Sequence, residues 1–359
     1  MGEIVSDAQI RNRKDAHIDV CLEEDVGSSG LATGLSGYTL EYDALPELDL
    51  AQVDLQTELF GRDLKAPLFV GAMTGGSERA GAINHILARA AARVGVGMAL
   101  GSQRAMLVDP ALTSTFAVRD VAPDLPVVVG NIGAVQLNYG VTTKDIAHLA
   151  TAVGADAINF HLNPLQEAIQ PEGDTNFAGL MEKMAEVIPN LPVPALVKEV
   201  GSGLSARTAK KLAQLPIAGL ETAGVGGTSW AKVESFRAPT ASIQAEVGVR
   251  LAGFGVPTAA SIRACRAALP DDRVVVASGG IRTGMDVAVA LALGADVVAL
   301  AQPLLAAAMK SEDAVVHTLE SIIYELKVIC FCTGAKSVAE LRGVRVIGPG
   351  QSFLSPEAI

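Results

Sequence analysis

Eight short runs of β-type residues, each closed by glycine or polar residues and followed by an Ala/Leu-rich stretch of helical period, constrain this chain more than any other feature. They lie at 67–72, 94–100, 127–131, 156–161, 193–198, 217–222, 273–278 and 296–301. Gly71, Gly101, Asn131 and His161 mark four successive runs at intervals of 30 residues, the length of one strand-plus-helix unit. Strands that alternate with helices run parallel, and eight such units can close on themselves. The pattern therefore predicts an α/β fold, a (β/α)8 TIM barrel over 67–342, in preference to an open doubly wound sheet. Half of the residues are hydrophobic but only 4% are aromatic; the apolar mass of Ala, Val, Leu and Gly suits buried parallel strands on small-residue helices.

Two regions break the rhythm. Residues 1–66 form an N-terminal extension, polar at first and then β-like around 38–43 and 52–60, expected to cover the closed end of the barrel or to reach across its mouth. The stretch 223–272 is a long insertion after strand six, expected to hold a helix, a loop through Ser235–Ala245 and a further helix from about Thr258. Residues 311–342 read as helix, and the Gly- and Pro-containing tail 343–359 as an unstructured end.

A net charge of −11 with no Lys/Arg-rich run argues against nucleic acid or an anionic membrane as partner. An anionic small molecule would need local positive charge. Cys21, Cys265, Cys330 and Cys332 include no CxxC pair and no secretory leader precedes them, so reduced thiols in the cytoplasm are expected. The apolar stretch 286–308 is broken by Asp286, Gly294, Asp296 and Pro303, which fits helix, loop and strand better than a membrane span. Met1-Gly2 with Ser6 formally matches a myristoylation pattern, which the soluble composition makes a coincidence.

In such a barrel the reacting groups sit at the carboxyl ends of the strands. Those ends read Met73-Thr74-Gly75-Gly76, Ser102-Gln103-Arg104, Asn131, His161-Leu162-Asn163, Lys198-Glu199, Gly226-Gly227-Thr228, Gly279-Gly280-Ile281-Arg282 and Ala301-Gln302. One glycine pair could serve only a tight turn, but three such turns at consecutive strand ends suit a phosphate, with a hydroxyl from Thr228 and a charge from Arg282. Lys198 ends an apolar strand, where its ammonium either reaches the mouth or is costly to bury. At the mouth it would suit the negative N1 region of a reduced flavin, with Met73-Thr74 and Asn131 as platform and hydrogen-bonding groups. His161, Asn163 and Gln166 could bind an oxyanion, and Glu167 offers a hard oxygen to Mg2+ or an acidic cap to a helix. Arg104, and Arg13-Lys14 with His17, add cations suited to phosphate. No Ser/His/Asp set or paired carboxylates stand out.

Together these residues resemble the type 2 isopentenyl-diphosphate isomerases, an FMN-dependent barrel family, from Arg13-Lys14-Asp15-Ala16-His17 to about Val346. The stretches GAMTGG at 71–76, GSQR at 101–104, HLNPLQEAIQPEGD at 161–174, VKEVGSGLS at 197–205, GVGGTSW at 224–230, GVPTAASI at 255–262 and ASGGIRTG at 277–284 carry the likeness. The resemblance implies FMN held by Ala72, Met73, Thr74, Ser102, Asn131, Lys198, Thr228, Gly280, Ile281, Arg282, Ala301 and Gln302. It implies an isoprenoid diphosphate meeting Arg13, Lys14, Ser102, Gln103, Arg104, His161, Asn163 and Gln166, and Mg2+ on Glu167. It also implies a flavin reduced by NADPH, and a tetramer or octamer; Gln166, His161 and Lys198 are the candidate catalytic residues, Gln166 as a proton relay. The chain departs from the family at Glu221-Thr222-Ala223-Gly224, where Asp-Val-Ser/Ala-Gly is usual, and at Phe254, where Trp is common. A hydroxy-acid oxidase would want a His base after the later strands, and no His occurs between His161 and His317; an IMP-dehydrogenase-like enzyme would want a Cys on a mouth loop, and none of the four follows a predicted strand end. A degenerate paralogue that binds FMN or an isoprenoid diphosphate without turnover is the remaining alternative.

Overall fold

The computed structural model describes residues 7–352, with side chains from Arg13 onward. The myristoylation pattern at 1–6 lies outside the described residues, as does the end of the tail beyond 352. Strands β1 (Thr39–Leu40), β2 (Thr57–Leu59) and β3 (Arg62–Leu64) precede the barrel. The barrel consists of β4 (Leu68–Val70), β5 (Gly97–Ala99), β6 (Val128–Gly133), β7 (Ala157–His161), β8 (Ala195–Lys198), β9 (Gly219–Glu221), β10 (Val274–Ala277) and β11 (Val297–Leu300). They pair in parallel and in chain order, and β11 closes on β4, with Val298 beside Leu68 and Leu300 beside Val70. Each predicted run contributes one strand.

The barrel strands are buried because helices cover the outside and side chains fill the inside. Glu78–Val94 shows how a helix reads the sequence: Ser77 caps its start, Gly95 ends it at φ 79°, and Ile83, Leu87, Ala90, Ala91 and Val94 form its inward face. Inside, Phe69, Ala99, Val129, Leu196, Val276 and Ala299 pack together. Gly97 gives the Phe69 ring its place, since a Cβ there would stand 2.2 Å from the ring.

The N-terminal extension contributes to both ends of the barrel, where the sequence had offered one or the other. The hairpin β2–β3 sends Leu59 and Leu64 into the interior cluster and plugs one end of the barrel. The helix Asp7–Glu23 brings Arg13, Lys14 and His17 to the mouth at the other end. After strand six the structure corrects the expected loop. A helix runs Trp230–Arg237 and a second one Ile243–Arg250, so only 238–242 separates them. The Ser229 and Ser242 side chains cap the two helices. The tail is also corrected: β12 (Val346–Ile347) is buried and pairs antiparallel with β1, Thr39 opposite Ile347. Two apolar residues within a Gly/Pro-containing segment gave too short a run to read as a strand. Among the described residues, no helix is long and apolar enough to cross a membrane.

Candidate active site

The carboxyl ends of the barrel strands and the N-terminal helix enclose a cavity of about 230 Å³. Of the residues that the sequence assigned to FMN, diphosphate or Mg2+, all but Gln103 line it. Gln103 turns inward and is fully buried: its amide donates to the Leu149 carbonyl at 3.1 Å, and its oxygen accepts from Asn131 N at 2.8 Å. Ser102 and Arg104, its neighbours, face the cavity instead.

On one side, glycine turns interlock. Gly280 has φ 71°, and a Cβ on it would lie 2.4 Å from the Gly226 carbonyl; a Cβ on Gly227 would lie 2.5 Å from Gly280 N. Only glycine permits turns after β9 and β10 to approach so closely, which keeps backbone N–H groups accessible at the mouth. Thr228, Ile281, Arg282, Ala301 and Gln302 border the same side.

Lys198 lies on the cavity floor, 5% exposed, and its Nζ donates to the Glu199 carbonyl at 2.6 Å and stands 3.4 Å from Glu221 Oε1. Glu221 also accepts from Ser278 Oγ at 2.9 Å and from Asn159 Nδ2 at 3.3 Å. Pairing with a hydrogen-bonded carboxylate offsets part of the cost of burying an ammonium. Glu221, the departure noted in the sequence, thus has a place: its carboxylate reaches Lys198 from the next strand.

The opposite side is cationic. Arg13, Lys14 and Arg104 converge there, and burial, reinforced by Arg13 and Arg104 and opposed by Glu234, pushes Lys14 down to about 7. Burial likewise lowers Arg13, with Arg104 adding to it. Arg104 donates to Asp174 Oδ2 at 2.5 Å, an oxygen that also accepts from Gln136 Nε2 at 2.9 Å. His161 packs against Asn131, with Nδ1 and Oδ1 at 2.8 Å. Glu167 accepts from Asn163 Nδ2 and from Asp174 N, each at 2.7 Å, and burial raises its carboxyl despite those bonds.

Sequence reasoning missed Glu234 as the anchor of this wall. It is fully buried, and its oxygens meet His17 Nε2 at 3.0 Å, Gln166 Nε2 at 2.8 Å and the Arg237 guanidinium. Burial alone would raise its carboxyl, but the hydrogen bond and charge of His17, with Arg237 and Gln166, hold it at about 2. His17 also meets Trp230 edge to face at 5.1 Å between ring centroids.

Solved structures of mandelate oxidase share the fold, one of them carrying a monooxide FMN adduct, with a TM-score of 0.65 at 20% identity over 92% of this chain and 95% of that one. The model of the FMN-dependent dehydrogenase family matches residues 161–347, more than half of the chain. Isopentenyl-diphosphate delta-isomerase from Synechococcus sp. (strain ATCC 27144 / PCC 6301 / SAUG 1402/1) is 46% identical over 349 residues, covering 96% of this chain and 99% of its own. The one from Mycolicibacterium gilvum is 48% identical over 339 residues, covering 93% and 95%. The chain belongs to the type 2, FMN-dependent isopentenyl-diphosphate delta-isomerases.

The cavity of this isomerase fits that cofactor chemically. Thr74 Oγ1 is buried there without a partner, an acceptor and donor left for a bound group, and it faces the same space as Lys198 and the interlocked glycine turns. On the cationic side Asn163 Oδ1 and Arg13 Nε are likewise buried without partners. Asn163 Oδ1 lies on the side chain whose Nδ2 donates to Glu167. The GTSW stretch at 227–230, part of the GVGGTSW that carries the likeness, ends at Trp230, which meets His17 and begins the helix that carries Glu234 and Arg237.

Proposed function

We propose that this isomerase interconverts isopentenyl diphosphate and dimethylallyl diphosphate in isoprenoid biosynthesis with reduced FMN and Mg2+, NADPH serving as reductant, in the cytoplasm and as a tetramer or octamer. The observation that carries the reading is that one cavity is lined both by the cations Arg13, Lys14 and Arg104 and by Lys198 with the glycine turns after β9 and β10.

FMN would be held by Ala72, Met73, Thr74, Ser102, Asn131, Lys198, Thr228, Gly280, Ile281, Arg282, Ala301 and Gln302. Arg13, Lys14, Ser102, Arg104, His161, Asn163 and Gln166 would hold the diphosphate, and Glu167 the Mg2+ that offsets its charge. Moving the double bond requires a proton added at one carbon and another removed. Reduced FMN, when bound, supplies the acid–base and electrostatic capacity for that exchange. The chain's own part is anchoring: charge-assisted contacts far from the alkene align the reacting carbons and contribute binding energy to orientation. Lys198, fixed by Glu221 and the Glu199 carbonyl, presents one positive charge to the floor. Gln166 donates to Glu234, so its carboxamide is held in one orientation, and in this reading it positions or relays a proton. The helix Asp7–Glu23 shields the mouth from water.

The test is a visible spectrum of the purified protein followed by turnover assays. Flavin bands, isomerisation only after reduction by NADPH or dithionite, and loss of both FMN affinity and turnover in Lys198→Ala are the expected results. Full activity with oxidised FMN in air, or a Lys198→Ala variant with unaltered affinity and rate, would overturn the reading.

A further inference from the structure

The ends of β6 and β7 carry a hydrogen-bonded pair that decides where a proton sits. Asn131 Nδ2 donates to the Leu100 carbonyl at 2.9 Å, which leaves Asn131 Oδ1 facing His161 Nδ1 at 2.8 Å. With the amide turned over, Oδ1 would stand against the Leu100 carbonyl, acceptor against acceptor, in a side chain only 4% exposed. A carboxamide oxygen can only accept, so Nδ1 donates, and the lone pair of a neutral imidazole lies on Nε2. Nε2 has no protein partner among the described residues. Gly133 leaves room beside it, since a Cβ there would stand 3.1 Å from Nε2. The charged groups acting on the ring are Lys198, its register partner on β8, and Lys14 from the N-terminal helix, both cations. Burial first, and then these two cations, push the imidazole down to about 3.

That polarity is wrong for an anion. A bare lone pair repels a phosphate oxygen, whereas an N–H on a cationic ring makes a short charge-assisted bond, and a polyanion nearby favours the charged ring. We propose that Asn131 is a positioning residue that makes diphosphate binding proton-coupled: His161 presents an unprotonated Nε2 to the free cavity and takes one proton from solvent when the diphosphate arrives. The new Nε2–H bond points at the anion, Nδ1–H stays on Asn131 Oδ1, and no other bond changes. The inference rests on the diphosphate site proposed above.

The experiment is side-chain 15N NMR of the holoenzyme with oxidised FMN, with inorganic pyrophosphate as the probe. At pH 6 Lys14, with its midpoint near 7, is already mostly charged and adds little proton uptake of its own. The chain has five histidines, and His161→Gln assigns the signal. The expected free state has Nδ1 protonated and Nε2 bare; the bound state has both protonated. Calorimetry in two buffers of different ionisation enthalpy should show the wild type taking up about one more proton per site than His161→Gln. Asn131→Asp, which puts a carboxylate where the amide oxygen stood, should charge the ring beforehand and reduce the uptake. A singly protonated His161 with pyrophosphate bound, or a free state with the proton on Nε2, overturns the inference. Failure of the wild type to bind pyrophosphate overturns the diphosphate site itself, and this inference with it. If Asn131→Asp does not fold, the wild type with the His161→Gln assignment decides alone.

Discussion

Single residues here act through what surrounds them. Lys14 is the clearest titration: burial, with Arg13 and Arg104, brings it to about 7, so its positive charge is present below that pH and leaves above it. If Lys14 belongs to the proposed diphosphate site, loss of its charge weakens ground-state binding, and KM for isopentenyl diphosphate should climb as pH rises from 6 to 9. Lys14→Arg keeps the charge at every pH in that range, and the part of the climb centred near pH 7 should vanish. An identical KM profile in wild type and Lys14→Arg would remove Lys14 from the diphosphate wall. Gln103 illustrates the opposite outcome. It sits between two cavity residues in the GSQR turn, yet its carboxamide is spent on Leu149 and Asn131. A turn reverses direction within a residue, so sequence adjacency to a site residue says little about which way a side chain faces.

At the scale of elements, the N-terminal helix and the helix Trp230–Arg237 are joined by Glu234, which spans 217 residues of sequence to His17. Glu234 is held at about 2 against an ordinary 4.5, so its contribution to stability is complete above about 4.5 and is lost as pH falls towards 2. Glu234→Gln leaves Arg237 only the more exposed Glu172 carboxylate, 2.9 Å away, and losing the buried partner costs up to about 3 kcal/mol. The expected results are a lower Tm at pH 7, a smaller dependence of Tm on pH between 5 and 3, and faster amide exchange in residues 13–23. A Tm unchanged at pH 7 would mean that the helix is held by its apolar contacts and not by this carboxylate.

The molecule as a whole is a barrel open at one end because the other end is filled. Leu64 is completely buried, and with Leu59 it closes the interior beneath Phe69, Ala99 and Val276. Leu64→Ala removes a packed side chain with little room to collapse, and should cost about 2–5 kcal/mol in urea unfolding. FMN affinity should hold, since the plug lies at the end away from the glycine turns. A variant of native stability would show that the hairpin merely covers the barrel. At the same scale β1 and β12 join the segment before the barrel to the segment after it, Leu40 opposite Val346.

What the sequence determined by itself is whatever depends on local period and on the residues that close each element. The eight barrel strands, their order, the helices between them and the end of the barrel that carries chemistry all follow from runs of five to seven residues and the glycine or polar residue that stops each one. Residues from every strand end, from Met73 to Gln302, reach one cavity for the same reason, because parallel strands bring every carboxyl end to one face. Only the tertiary structure decided the rest. The split of the N-terminal extension into a plug and a mouth helix, the pairing of Glu221 with Lys198, the role of Glu234, the β1–β12 clasp and the inward turn of Gln103 depend on contacts between distant segments. Such contacts leave no periodic trace in the chain, because burial and hydrogen bonding across a closed barrel are set by which surfaces meet after it closes.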